Sequence, residues 1–518
     1  MTSRLHTVAA LAVGIMLTAS ATACNNDNIT SLNQNPNNPE TAPAGAVFTN
    51  AVQTAVGRWL GSAYDLRQME LLTQHLAEVQ YPDEDRYARI RAADTQNYFA
   101  SGGGAYATSL EDFRQVEKQG IALNSPAISA PAVIMSQWEF GYLTDNWGDI
   151  PYSQALLGDS AGAPVLPAYD AQKDVYAGIL GKLTKASADL AGASPRNLGS
   201  ADPIYGGDAA SWRKFANSLR ARHAMRLSNV DPAKSNAELT AAFAAGVFSS
   251  NDDNAVLAWP GDGVFDNSWS VNFKTRDDHR LSKTFADLLI PTNDPRLAIF
   301  AMPTADFSSG KAGAAKYAGQ PNGLNASTAG TYLTSTSRPG AVFYPGTTSY
   351  GTFGGAGGKQ PSYLMTYAEV LFIKAEAAAR SMGGLTPAQA AGFYNDAITA
   401  SMNQWGITDD AAISAYLAQP NVAYAGGVAG QKQIAQQKWI ALFSDGGQAW
   451  FEWRRTCQPS AIKAGPNAIF TYVPRRLEYP VLELQVNGQN VNAAVARQGA
   501  DAMNTKVYWD TMTGPTCS

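Results

Sequence analysis

Three cysteines and four histidines are all that 518 residues supply of either type. Cys24, Cys457 and Cys517 lie far apart, as do His6, His75, His223 and His279. No Cys-x-x-Cys or His-x-x-x-His pair exists, so a metal centre built on the usual Cys/His spacings has no material. Charge is also scarce: 16 % of residues are Asp, Glu, Lys or Arg, and the formal net charge is −5. A chain without a basic surplus is not built for nucleic acid or for an acidic lipid surface. Catalytic signatures are missing as well. Gly354-Gly355-Ala356-Gly357-Gly358 fails the P-loop pattern, because Phe353 holds the first glycine position and Gln360 replaces Ser/Thr. There is no Gly-x-Ser-x-Gly elbow and no His-Glu-x-x-His.

What is present begins with an export signal over residues 1–23. Arg4 and His6 precede an apolar stretch from Val8 to Leu17, followed by the small residues Ala19 to Ala23. Cys24 comes next, and the chain then turns polar with Asn25, Asn26, Asp27 and Asn28. A small residue before a lone Cys fits a lipobox, in which Cys24 becomes the acylated first residue. Ala21 stands where a lipobox usually has Leu, so cleavage after Ala21-x-Ala23 to give a soluble periplasmic protein is the alternative. Multiple acyl chains would anchor the protein stably, at about 0.8 kcal/mol per buried CH₂. Export leaves Cys457 and Cys517 as an even pair in an oxidising compartment. A disulfide between them is expected, with two free buried thiols as the alternative.

Residues 24–42 are rich in Asn and Pro and read as the lipidated start and a flexible tether. Residues 43–518 read as one mostly helical domain. Asp170 precedes a helical run to about Leu190, and Asp231-Pro232 offers a cap with proline at the first helical position. Thr366-x-x-Glu369 and Thr386-x-x-Gln389 fit the capping box. The helix from Tyr367 to Arg380 is apolar on nearly every side and is expected between neighbours. The next one places Ala390, Tyr394 and Ala397 at the spacing of a tetratricopeptide second helix; 175–190 and 212–227 look like further members of such a stack. Long irregular stretches at about 250–283, 303–361 and 456–518 interrupt the helices, with short strands expected at Ala341 to Tyr344 and Glu478 to Leu482.

Several segments together resemble the SusD/RagB family of outer-membrane nutrient-binding lipoproteins. They are Asp145-Asn146-Trp147-Gly148-Asp149-Ile150-Pro151-Tyr152, Tyr169 to Gln172 with Tyr176, Trp212 to Leu219 with Arg226-Leu227-Ser228, and Tyr367 to Val370 with Ala375-Glu376-Ala377. Trp450-Phe451-Glu452-Trp453-Arg454-Arg455 and Pro474-Arg475-Arg476-Leu477-x-Tyr479-Pro480 complete the set. Gly446-Gly447 and Cys457 depart from the usual pattern. The resemblance implies a tetratricopeptide-like helical hairpin scaffold with long irregular loops and a few short strands. It implies no cofactor, an oligosaccharide or peptide ligand, and a SusC-like TonB-dependent outer-membrane transporter as partner.

Asp145 and Asp149 resemble an acid/base pair but fit a helix end better. The clusters Asp83-Glu84-Asp85 and Asp252-Asp253 lack the EF-hand spacing and read as solvated loop charge rather than calcium ligands. Sugar rings stack their C–H faces on Trp or Tyr, so aromatics on loops are the ligand-binding candidates. These are Tyr81, Tyr87, Phe265, Trp269 and Phe273, with Asn267 and Asn272 beside them; for Trp269, packing and ligand contact stand equal. The competing functions are a secreted glycoside hydrolase, which needs two carboxylates across a cleft, and a purely structural adaptor.

Overall fold

The computed structural model describes residues 42–100, 102–192, 194–513 and 517. Cys24, the signal segment and most of the tether lie outside the described residues. Helices dominate, and the long ones follow one another as packed pairs. They are α1 (Ala44–Trp59), α2 (Ser109–Ala122), α3 (Pro126–Trp147), α4 (Gln172–Asp189), α5 (Ala209–Arg226), α6 (Pro232–Ala245), α7 (Tyr367–Ala379), α8 (Ala390–Gln404), α9 (Gly427–Ala441) and α10 (Gly446–Thr456). Each of α1 to α6 packs on a neighbour in a continuous series, and α7 packs on α8 and α9. No helix among the described residues is long and apolar enough to cross a membrane.

The helix starts follow from local chemistry. Asp231 accepts from the Lys234 N–H at 3.1 Å, and Pro232 fixes the first turn of α6. The Thr366 hydroxyl accepts from the Glu369 N–H at 3.2 Å and opens α7. Gln389 Oε1 accepts from the Thr386 N–H at 2.8 Å, heading the turn into α8. Ala390, Tyr394 and Ala397 are all buried, as tetratricopeptide-like packing requires. α7 buries Val370, Leu371, Phe372, Ile373, Ala375, Ala377 and Ala378, so it is enclosed on nearly all sides.

Strands are few and pair only in twos. β1 (Leu76–Glu78) runs antiparallel to β5 (His279–Leu281), with Glu78 opposite His279. β2 (Ile150–Pro151) pairs with β3 (Tyr169–Asp170), β4 (Ala255–Leu257) with β8 (Ser362–Met365), and β6 (Thr347–Thr348) with β7 (Gly351–Thr352). The two expected strands are absent. Ala341–Phe343 is a 3₁₀ turn, and Gly340 before it lies so close to the Ile299 carbonyl that a Cβ would stand 1.7 Å away. Pro480 instead begins a short helix, Val481–Val486.

A buried ionic lattice ties the helices. Arg222 grips Glu369 with two bonds of 2.8 and 2.5 Å, joining α5 to α7. Arg226 reaches Glu452 at 2.6 Å, and Arg455 binds both Glu376 and Glu452. Arg475 clasps Asp510 at 2.6 and 2.7 Å, and Arg454 bonds the Asp145 and Arg475 carbonyls. Cys457 and Cys517 are joined by a disulfide that holds the 457 loop to residue 517. Asp145 and Asp149 serve packing: Asp145 accepts from Tyr176 and Trp509, and Asp149 accepts from the Gln172 N–H that starts α4.

Candidate functional site

After α1 the chain enters a π-helical segment, Ser62–Met69, and then β1. Wide π turns concentrate at functional sites because they shift side chains out of the α-helical register. Here Arg67 and Gln68 are turned toward a cavity of about 500 Å³. Its other principal walls are Tyr81, Asp83, Glu84, Tyr98 and Arg276. Tyr81 is 54 % exposed, with the Arg276 guanidinium 4.5 Å from its ring centre. Arg67 Nε holds Glu84 Oε2 at 3.0 Å, and Asp83 pairs with Arg86 at 3.2 Å. The result is one available aromatic ring set among fixed charges of both signs.

The acidic run 83–85 is only partly solvated, which corrects the expectation. Asp83 is exposed, but Glu84 and Asp85 are buried. Asp85 accepts from Asn322 Nδ2 at 2.8 Å and from the Gly323 N–H at 3.0 Å. Burial raises its carboxyl to about 7, against the lowering effect of those bonds. In the other run, Asp252 is exposed, while Asp253 binds Lys214 at 2.7 Å and caps its own turn.

The remaining candidates divide by burial. Phe265 is 48 % exposed on a turn that Asp262 organises by accepting from the Val264 and Phe265 N–H groups. Trp269, Tyr87 and Phe273 are buried, each with 2 % or less of its surface open. Trp269 packs against Phe343 at 5.1 Å, and Phe273 stacks on Tyr344 at 4.3 Å. Tyr87 is enclosed at the base of the 82–87 turn, with φ of 66°. Asn267 is spent on structure: it caps the Ser268–Phe273 helix and donates to the Gln360 carbonyl at 2.8 Å. Asn272 is half-buried on that helix. The long loops thus pack into the main core, which takes up rings that the sequence offers as ligand-binding candidates. Conversely, Arg67, Tyr98 and Arg276 carried no sequence signal, because three distant segments bring them together.

Beneath the cavity wall lies a second, wholly buried group: Glu78, Asp278 and His279 on or beside β1 and β5. Burial, then Glu84, Asp85 and Asp278, push Glu78 well above the usual carboxylate range. Burial and nearby arginines lower His279 to about 3, so its imidazole is neutral.

A sequence profile of the SusD-like_2 family, described as starch-binding and associating with the outer membrane, matches residues 36–480. The chain belongs to this SusD-like family. It is a family of binding proteins rather than enzymes. Solved SusD-like structures share the fold. A chitin-binding protein is 26 % identical, covers 90 % of this chain and 100 % of its own, and superposes with a TM-score of 0.75. A SusD homologue from Bacteroides fragilis NCTC 9343 is also 26 % identical, over 89 % of this chain and 99 % of its own, with a TM-score of 0.73. A chitin-binding SusD homologue from Flavobacterium johnsoniae, at 24 % identity over 91 % and 99 %, has a TM-score of 0.73. No curated protein matches the chain.

Proposed function

We propose that this SusD-like protein is a cell-surface lipoprotein, anchored through Cys24, that captures oligosaccharide in the Tyr81 cavity. It passes that ligand to a SusC-like TonB-dependent transporter. One observation carries the reading: an exposed Tyr ring at a polar cavity offers a stacking face beside groups that bond hydroxyls. Asp83, Gln80 and Arg89 are the hydroxyl partners in this scheme. The family's description as starch-binding and outer-membrane-associated, and the chitin-binding structural relatives, support a glycan over other ligands.

Calorimetry with malto- and chito-oligosaccharides tests this, using wild type and Tyr81→Ala. Losing a stacking ring worth about 1–1.5 kcal/mol weakens binding roughly tenfold. Unchanged affinity in the variant would remove Tyr81 from the site. Products released from the glycans would restore the glycoside hydrolase reading, and a barrel recovered in pull-downs without any glycan or peptide binding would restore the adaptor.

A further inference from the structure

Glu78, Asp278 and His279 each bring a metal-ligating atom to one point, all within 4.8 Å of one another. Strand pairing produces the meeting. Glu78 and His279 are directly opposite in the β1–β5 register, so their side chains leave the same face, and Glu78 Oε1 lies 3.6 Å from His279 Nε2. All three residues are buried to within 1 % of full enclosure.

In that enclosure their polar atoms are unmatched. Both Glu78 carboxylate oxygens, both His279 ring nitrogens and Asp278 Oδ1 lack a hydrogen-bond partner of good geometry, the nearest candidates being Glu84 for Glu78 and the Leu66 backbone for His279. Gln320 Oε1 is likewise buried and unmatched, on a side chain whose amide donates to the Glu78 carbonyl. Buried polar groups are nearly always satisfied, and each orphan costs about 1–3 kcal/mol. The two Glu78 oxygens, Asp278 Oδ1 and the one His279 ring nitrogen that carries a lone pair are acceptors gathered at one spot, and they mark a missing partner that accepts several lone pairs at once.

The charges point the same way. Arg67 answers Glu84, Arg276 answers Asp278, and Arg280 and Arg338 both bind Asp277. Among the described residues neither Glu78 nor Asp85 forms an ion pair with an arginine or lysine, although the Arg67 charge is felt at Glu78. A buried anion without a cation is costly, and a divalent ion supplies the missing positive charge.

The geometry points to a divalent transition-metal site, of the zinc type, held by Glu78, Asp278 and His279 under the floor of the Tyr81 cavity. A mixed imidazole–carboxylate set favours zinc-like ions over calcium or magnesium, which take oxygen alone. Tetrahedral ligands at Zn distances of 2.0–2.2 Å stand about 3.3 Å apart, so modest side-chain rotation closes the set. The ion would tie β1 to β5. Tyr81 follows Glu78 by three residues and Arg276 precedes His279 by three, so the same tie would hold both in the cavity wall. This does not depend on what the cavity binds.

The test is metal content. The full mature chain is refolded from denaturant with Zn²⁺, dialysed extensively, and measured by mass spectrometry of the elements. One Zn²⁺ per chain is expected, with roughly tenfold or greater loss in Glu78→Gln and His279→Gln. Thermal stability should rise with Zn²⁺ in wild type only. X-ray absorption at the zinc edge of the wild type, which needs no variant, should show one imidazole and carboxylate oxygens without sulfur. A wild type holding no stoichiometric Zn²⁺, Mn²⁺ or Co²⁺ overturns the assignment. So does zinc that persists unchanged in both folded variants, or a sulfur-containing shell.

Discussion

Replacing Glu369 with Leu isolates one strut of the buried lattice. Glu369 begins α7, and its carboxylate accepts both Arg222 bonds from α5, at 2.8 and 2.5 Å. Both side chains are about 3 % exposed or less, so water cannot replace either partner. After Glu369→Leu, Arg222 retains only the Leu364 carbonyl at 3.0 Å. Breaking a buried pair by removing one partner costs about 3–5 kcal/mol. Asp445 softens this, since its carboxyl already feels the Arg222 charge, which puts the expected loss near the lower end, about 3 kcal/mol. With about 2.1 cal/mol/K of unfolding entropy per residue over the roughly 470 described residues, 1 kcal/mol shifts Tm by about 1 °C. Scanning calorimetry should therefore show a fall of about 3 °C. The double variant Arg222→Met with Glu369→Leu should recover most of it, because no orphaned charge remains. A single variant as stable as wild type, or a double variant no better than the single, would refute the view that the pair matters through desolvated charge.

Three further outcomes follow from the same structure. Replacing Cys457 and Cys517 with Ser should cost about 4 kcal/mol in the loop-entropy account, given the separation of 60 residues; urea midpoints with and without reductant check it. Asp445 is raised to about 7 by burial, so the native state binds its proton more tightly than the unfolded chain. Its contribution is full below about pH 3.8 and is lost as pH rises through 7, by on the order of 4 kcal/mol; Asp445→Asn should flatten that part of a stability–pH profile. Gly446→Ala should destabilise by about 1–3 kcal/mol, since a Cβ there would lie 2.6 Å from the Glu70 backbone nitrogen; thermal melts measure it.

The helical frame was legible because its signals are local. Asp231-Pro232, Thr366 and Thr386 with Gln389 sit where the caps form, and the apolar girth of 367–380 announced an enclosed helix. The irregular side was less legible, because its aromatics obey contacts made across hundreds of residues. Phe273 reads as a ligand-binding candidate beside Asn267 and Asn272, and Trp269 reads equally as packing or ligand contact, yet Phe343, Tyr344 and Phe443 cover both. Tyr81 and Phe265 kept their expected exposure because each sits on a tight turn. The segments that resemble the SusD/RagB family are mainly interior. Arg454, Arg455, Arg475 and Arg476 are all buried, so those motifs report how the helices lock together and carry little about the ligand. Gly446-Gly447, a departure from that pattern, has a steric reason: it lets α10 abut the Ser62–Met69 segment, Glu70 and Tyr142.

Trp509 donates to Asp145 at 2.7 Å, and Asp510 neutralises Arg475 deep inside. Residues synthesised hundreds of positions after α3 are therefore the ones that seal it. A polypeptide lacking them leaves Asp145 short of one donor and the Arg475 guanidinium without its carboxylate, so the interior closes fully only when the last ten or so residues are in place.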